Sequence, residues 1–300
     1  MKKYILIFSL ITAFNASAET SGTCGERSGL GTEDDPYVWA DNCTWTLDGT
    51  NLTISGNGDM GYFGSVNYNI EKNTAETLAP WGLDVTTVTI GEGITSFGFR
   101  GFSGTQLSSV VLPSSMTEIS NNAFAFAHKL ENITIPDGVT YIGRYAFDTC
   151  TNLTDIVLPS SLETIAEGAF IRSGLSSITI PDSVTTIEGW AFYDSPNLSN
   201  VIIGDGVTSI GENAFGGTSA YVYCQNTDEN PNRCNDLTNN TGLANGKLKI
   251  YTIENGKIKV GSKTYNSLND LPGYTLKRIY TIEEANAVAG PVNRVSIRYR

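Results

Sequence analysis

The sequence is poor in the residues that most often carry out catalysis or bind metals. Its 300 residues include a single histidine, His128, and no Cys-x-x-Cys motif or cluster of cysteine and histidine. A histidine with no cysteine, serine or metal ligand nearby in the sequence is a poor general base. The ordered acidic spacing of a calcium-binding loop is also missing. We therefore expect no catalytic residue, no cofactor and no metal site, and we do not expect an enzyme.

Basic residues and long apolar runs are scarce as well. The chain has 19 Lys and Arg against 31 Asp and Glu, a formal net charge of −12, and no basic cluster that could bind a phosphate backbone, which argues against a nucleic-acid partner. The one sustained apolar run, residues 4–14, is shorter than the roughly 20 residues of a membrane-spanning helix. It follows Lys2 and Lys3 and precedes Ala16-Ser17-Ala18. This order predicts a signal peptide over residues 1–18, and hence a protein that is secreted or held at the cell surface or outer envelope, with no transmembrane segment after cleavage.

The five cysteines are consistent with an oxidising compartment. Proximity in the sequence favours two disulfides, Cys24 with Cys43 and Cys224 with Cys234, and leaves Cys150 without a partner. Metal binding is the competing interpretation, but the spacing typical of metal ligands is missing. Proximity does not fix connectivity, so other pairings stay open at this point.

A repeat of 22 or 23 residues occupies the middle of the chain. Its six units end at residue 220 and begin at Val85, Leu107, Leu130, Leu153, Leu175 and Leu198. The first, fourth and sixth positions of each unit are apolar, which predicts a short strand with one buried face. Proline or glycine at the seventh position ends the strand, and two further apolar positions follow the turn. A period of this length predicts a solenoid in which each unit forms one coil.

Each unit also carries a small residue followed by phenylalanine. A single coil cannot bury its own apolar face, so we predict that these rings pack against one another as a structural spine. The predicted spine residues are Phe102, Phe124, Phe147, Phe170, Phe192 and Phe215.

The fifth position of each predicted strand points away from this core, because side chains alternate along a strand. It holds a β-branched residue in all six units: Thr89, Val111, Thr134, Val157, Thr179 and Ile202. Two interpretations stay open. The residues could reflect strand propensity alone, or they could form a mildly apolar binding strip, flanked by polar residues such as Glu131, Asn132 and Asp155.

The segments on either side of the repeats are predicted to cap the solenoid. Residues 19–84 form an N-terminal β cap, with a hairpin that turns at residues 48–51 and with Trp81 against the first coil. Gly56, Gly58 and Gly61 have the spacing G-x-G-x-x-G, but no helix is predicted after them, so we interpret them as turn glycines and not as a dinucleotide site.

Beyond the solenoid at 85–220, residues 221–246 form a loop rich in Asn and Asp that is expected to hold the second disulfide. Residues 247–300 have more Lys and Arg than Asp and Glu and are predicted to form a small C-terminal α+β module. It has a hairpin at Glu254-Asn255-Gly256 and a short helix that begins after Thr281.

The repeats follow the pattern L-x-x-(V/I)-x-(I/L)-P-x-x-(V/L)-x-x-I-x-x-x-A-F, nearly intact in five units. In this they resemble the BspA-like class of leucine-rich repeats, as do the strings W-x-L-x-x-x-x-L-x-I-S-G-x-G-x-M and A-P-W before them. The resemblance implies a mainly β solenoid of six coils with irregular or short helical turns, in a bacterial surface or secreted protein. It implies binding to a protein or glycan on a host or neighbouring cell, as in adhesion, and no enzyme. A structural envelope component attached through the C-terminal module is the alternative.

Overall fold

The computed structural model describes residues 21–24, 27–28, 38–39, 42–61, 63, 68–69, 74–75, 79–225, 248–254, 257–260, 262–266 and 270. The predicted signal peptide, residues 226–246 with Cys234, and the helix predicted after Thr281 lie outside these residues. Across the described ranges the chain forms short strands and turns without an α-helix, and hence has no helix that could cross a membrane.

The segment before the repeats contributes eight strands: β1 (Ser21–Thr23), β2 (Arg27–Ser28), β3 (Val38–Trp39), β4 (Cys43–Asp48), β5 (Asn51–Gly56), β6 (Gly58–Asp59), β7 (Tyr68–Asn69) and β8 (Thr74–Ala75). The repeats contribute β9 (Thr87–Ile90), β10 (Ile94–Ser96), β11 (Ser109–Val111), β12 (Glu118–Ile119), β13 (Asn132–Thr134), β14 (Tyr141–Ile142), β15 (Thr164–Ile165), β16 (Ser177–Ile180), β17 (Thr186–Ile187), β18 (Asn200–Ile203) and β19 (Ser209–Ile210). They are followed by β20 (Tyr221–Gln225), β21 (Leu248–Glu254), β22 (Lys257–Val260) and β23 (Lys263–Tyr265).

The first strands of the coils pair in parallel in two sheets, one that contains β9, β11 and β13 and one that contains β16, β18 and β20, and the fourth coil between them has only an isolated bridge. We call this side of the solenoid the front sheet. Strand β9 pairs with β11, and β11 with β13, so that Thr89, Val111 and Thr134 lie side by side. Thr134 then bridges to Val157, and the pairing resumes from β16 through β18 to β20. Positions four and six of each strand face the core, and among them Ile133, Ile135, Ile178 and Ile180 are buried. The alignment of the repeats predicted this register.

The second strands of coils two to six form a parallel rear sheet in the order β12, β14, β15, β17 and β19. Its strands are only two residues long, and each ends in a buried isoleucine. Ile119, Ile142, Ile165, Ile187 and Ile210 are in register. Because each strand of the rear sheet holds isoleucine at the same position, each of these coils adds one layer to a common core.

The small-residue and phenylalanine pairs form a third line of contacts between coils. The N–H of each phenylalanine donates to the carbonyl of the small residue in the next coil, from Phe102 to Ala123 at 2.8 Å through to Phe192 and Ala214 at 2.7 Å. The six rings stack face to face, with centroids 5.1–5.5 Å apart and interplanar angles of 3–13°. The repeats therefore form a β-solenoid of about six turns, which confirms the predicted fold class.

The N-terminal segment adds a further coil in front of the first repeat. Strand β5 pairs in parallel with β9 in the front sheet, and β6 pairs in parallel with β10. Strand β4 forms an antiparallel hairpin with β5, and the Cys24–Cys43 disulfide ties this hairpin to the segment before it. At the end of the stack the Trp81 ring lies 5.8 Å from that of Phe102, and its Nε1 donates to the Gly101 carbonyl at 3.0 Å.

The C-terminal strands extend the front sheet. Strand β20 forms a seventh parallel strand beside β18, and β21 pairs in parallel with β20. Strands β22 and β23 then follow as antiparallel neighbours. The boundary predicted at residue 247 remains a prediction, but the described strands after it are hydrogen-bonded to the sheet of the solenoid.

Candidate binding face on the front sheet

The fifth position of each front-sheet strand projects away from the core. The side chains at this position are exposed in the first five coils: Thr89, Val111, Thr134, Val157 and Thr179. Val111 is 49 % exposed and Val157 is 74 % exposed, although both are aliphatic. Their neighbours at positions four and six are buried, apart from the partly buried Val88, since successive side chains on a strand point to opposite faces. These five residues form an exposed row, which we call the strip.

The sixth predicted member of the strip, Ile202, is not exposed. It is only 5 % exposed and forms a separate buried cluster with Tyr223 and Ile258, against which Val260 and Tyr265 pack. Tyr223 occupies the fifth position of the added strand β20, in register with Ile202. The expectation of exposure fails here because the hairpin of β22 and β23 brings apolar side chains to the same side of the sheet. The strip therefore ends at this cluster.

Polar residues flank the strip, mainly at the third position of each strand. Asn132 and Asp155 are exposed there, and Glu131 is exposed at the second position. The Thr154 hydroxyl donates to the Asp155 carboxylate at 3.2 Å, and the Thr87 hydroxyl donates to Asn51 Oδ1 at 2.5 Å. A partner on this face would therefore meet a narrow apolar row bordered by oxygen atoms that accept hydrogen bonds.

Two residues outside the predicted repeats belong to the same face. Thr53 on β5 is exposed and in register with Thr89. Tyr221 on β20 is 44 % exposed and lies beside Asn200. The alternation in NLTIS and YVYC is a signal for these strands, but the sequence after them lacks the repeat pattern.

The other candidate groups are far less suited to chemistry. His128 is exposed, and the ring closest to it is that of Phe126, at 6.3 Å between centroids. Cys150 is fully buried, burial raises the pKa of its thiol, and its Sγ donates to the Phe124 carbonyl at 3.1 Å. In the described part of the chain, no group of three or more His, Cys, Asp or Glu side chains is arranged to bind a metal.

The glycines with the dinucleotide-like spacing lie beside the disulfide. Gly56 has a φ of 133° and Gly58 a φ of 82°, and a Cβ on Gly56 would lie 2.6 Å from Cys43 Cα. Gly58 and Asp59 form β6, which pairs with β10. These two glycines therefore allow the chain to pass close to β4 and enter the rear side of the solenoid.

Burial also changes the pKa of a tyrosine at the end of the strip. The pKa of Tyr223 is raised, first by burial and then by the neighbouring phenols of Tyr265 and Tyr221. Its hydroxyl therefore stays protonated, and can donate a hydrogen bond, beyond the pH range in which an ordinary tyrosine ionises.

Comparison with known sequences decides the family. A profile of the BspA type leucine rich repeat region matches residues 81–199 and 190–288, with six copies. The chain belongs to this family. No curated protein matches the sequence of this BspA-type chain.

Solved structures similar to this BspA-type chain are also leucine-rich repeat proteins. One from Eubacterium ventriosum is 23 % identical, with a TM-score of 0.45 over 62 % of this chain and 64 % of that one. A leucine rich cell surface protein from Faecalibacterium prausnitzii is 23 % identical, with a TM-score of 0.42 over 74 % of this chain and 57 % of that one. One from Bacteroides ovatus is 20 % identical, with a TM-score of 0.36 over 64 % and 59 %. The chain thus spans about three fifths of the length of these proteins.

Proposed function

We propose that this BspA-type protein is exported and that its front sheet binds a protein or glycan on a host or neighbouring cell, as in adhesion. The observation that carries the proposal is the exposure of two valines, Val157 at 74 % and Val111 at 49 %, in one row with three exposed threonines. Strand propensity explains a β-branched residue at these positions, and threonine would satisfy it without exposing a second methyl group to water. Extended solenoid faces are well suited to binding a large partner.

Export is supported by two independent features. The predicted signal peptide at residues 1–18 directs a chain out of the cytoplasm. The Cys24–Cys43 disulfide requires an oxidising compartment to form and persist. Neither feature identifies the partner, so the proposal is limited to a macromolecule displayed outside the cell.

The test is binding of the mature protein to immobilised extracellular-matrix proteins, intact bacterial cells and glycans. A double variant, Val111→Asp with Val157→Asp, is compared with the wild type and with a control of equal charge, Thr140→Asp with Thr208→Asp. The control residues are exposed on the coils but lie outside the strip. We expect the strip variant to lose binding, while the control binds like the wild type and all three melt at similar temperatures. If the strip variant binds like the wild type, or if no surface retains the wild type, the proposal is wrong.

A further inference from the structure

The fifth coil exposes two large aromatic rings at one turn. Trp190 is 40 % exposed and Tyr193 is 37 % exposed. The turn is closed by a hydrogen bond from the Tyr193 N–H to the Trp190 carbonyl at 2.9 Å. These residues flank Ala191 and Phe192, so they lie at the turn that carries the spine phenylalanine and not on the front sheet. This aromatic turn is separate from the strip.

The solenoid does not require a tryptophan at this position. Trp190 has a φ of 54°, and the equivalent residues of the other coils also have positive φ: Arg100, Asn122, Tyr145, Gly168 and Asn213. Glycine and asparagine adopt this conformation most readily, whereas a bulky residue rarely does. Trp190 thus has an unfavourable backbone conformation as well as an exposed ring.

Packing explains Tyr145, the aromatic residue at the equivalent position of the third coil. The ring of Tyr145 lies against Gly168 in the next coil, and its hydroxyl donates to Glu167 Oε1 at 3.0 Å. Among the described residues, the Trp190 indole has neither a hydrogen bond nor a ring contact of this kind. Its presence is therefore not accounted for by the stability of the coil.

The stretch of sequence that contains the turn is acidic. Residues 173–225 contain no Lys or Arg and five acidic residues: Asp182, Glu188, Asp194, Asp205 and Glu212. Glu212 lies beside the turn in the next coil, since the Trp190 N–H donates to its backbone carbonyl at 2.9 Å. One basic residue adjoins the turn, since the Arg172 N–H in the preceding coil donates to the Tyr193 carbonyl at 2.9 Å. Its guanidinium is paired with Asp148, at 2.8 and 3.0 Å from Nη2 to the two carboxylate oxygens.

We propose that the aromatic turn, formed by Trp190 and Tyr193, is a second binding site, and that it takes an arginine-rich segment of a basic protein. A guanidinium group stacks on an indole face through its planar charge, and its remaining N–H groups donate to carboxylates. The exposed rings supply the first interaction, and Glu188, Asp194 and Glu212, which are next to the turn in the sequence or in the next coil, supply the second. A second copy of this chain would bring the same acidic coils together, so charge disfavours it.

Isothermal titration calorimetry with hexa-arginine tests this site. The wild type is compared with Trp190→Asn, which removes the ring but leaves every charge in place. We expect saturable binding to the wild type and about tenfold weaker binding to Trp190→Asn. Val157→Asn, on the strip, is the control and should bind hexa-arginine like the wild type, which separates this site from the face proposed above.

Three outcomes would overturn the proposal. Equal affinity of hexa-arginine for the wild type and Trp190→Asn would mean that the acidic surface acts alone. Binding of cellohexaose that depends on Trp190, with none of hexa-arginine, would make a neutral glycan the ligand. Self-association that is lost in Trp190→Asn would make a second copy the partner. The variant should fold, because asparagine occupies the same position in the second and sixth coils, and its melting temperature checks this.

Discussion

At the residue scale, the solenoid is organised by one repeated ring. Each of the six spine phenylalanines is at most 5 % exposed, and each stacks on the spine ring of a neighbouring coil. Trp81 continues the stack at its N-terminal end. A ring in the middle of this stack has a neighbour on both faces, so truncating it leaves a cavity that two coils share.

Truncation of Phe170 should be among the most destabilising single changes. We expect Phe170→Ala to lower the free energy of unfolding by about 3–5 kcal/mol, through lost burial and the cavity left behind. Val157→Ala removes an aliphatic side chain that is 74 % exposed, and should change the free energy by less than about 0.5 kcal/mol. Urea unfolding followed by circular dichroism measures both. Equal effects of the two changes would contradict the role of the ring stack.

A second recurring pattern within the repeat is not apparent from the residue types alone. Three residues after each phenylalanine stands a small side chain, and this position is buried in every coil: Thr105, Ala127, Cys150, Ser173, Ser195 and Thr218. Several donate to a phenylalanine carbonyl, such as Ser195 to Phe170 at 3.0 Å and Thr218 to Phe215 at 2.8 Å. The hydroxyls at this position satisfy backbone carbonyls inside the turn.

The thiol of Cys150 should be inert in the folded protein. Burial raises its pKa, so the thiol stays protonated at pH values where an exposed cysteine forms the reactive thiolate. We expect no alkylation by iodoacetamide at about pH 8.5, the usual thiol pKa, until urea unfolds the chain. Mass spectrometry measures the modification. Rapid labelling of the native protein would contradict the buried position.

At the scale of elements, the two ends of the solenoid differ most from the sequence-based expectation. The repeat pattern identified six coils, yet β5 and β20 add a parallel strand at either end of the front sheet. The turns after these strands lack the proline and the Ala-Phe pair, so the period gave no signal for them. The contact of Ile258 with Ile202 joins segments 56 residues apart, and no periodic pattern predicts such a contact.

The hairpin of β22 and β23 should protect the end of the strip. Ile258→Ser is expected to loosen the cluster of Ile202, Tyr223 and Ile258, and so to lower the pKa of Tyr223 toward its ordinary value of about 10, because burial is the main cause of its raised pKa. Ultraviolet titration of the tyrosines measures this pKa. Subtracting the curve of the double variant Ile258→Ser with Tyr223→Phe from that of Ile258→Ser leaves the signal of Tyr223 alone. The matched difference between the wild type and Tyr223→Phe is the control. An unchanged pKa would show that the hairpin does not bury this phenol.

At the scale of the whole molecule, the period of the repeat was sufficient to predict the architecture. Six units of nearly equal length, each with the same apolar positions, can bury their apolar faces only by stacking in register. The fifth-position row followed from strand alternation alone, and only Ile202 departs from the expected exposure. The aromatic turn had no such signal, since Trp190 stands where other coils have Asn, Gly, Arg or Tyr and only its exposure distinguishes it.

The most direct test of the stacked coils is the distance between two spin labels on the front sheet. Labels at Thr53→Cys and Thr179→Cys, in a Cys150→Ser background, lie five strands apart, which at about 4.8 Å per strand predicts a separation of about 24 Å. Moving the first label to Thr89→Cys should shorten it by one strand spacing, to about 19 Å. Double electron–electron resonance should show a narrow distribution at each distance. A broad distribution, or a separation that does not shorten by one strand spacing, would contradict the stacking of the coils.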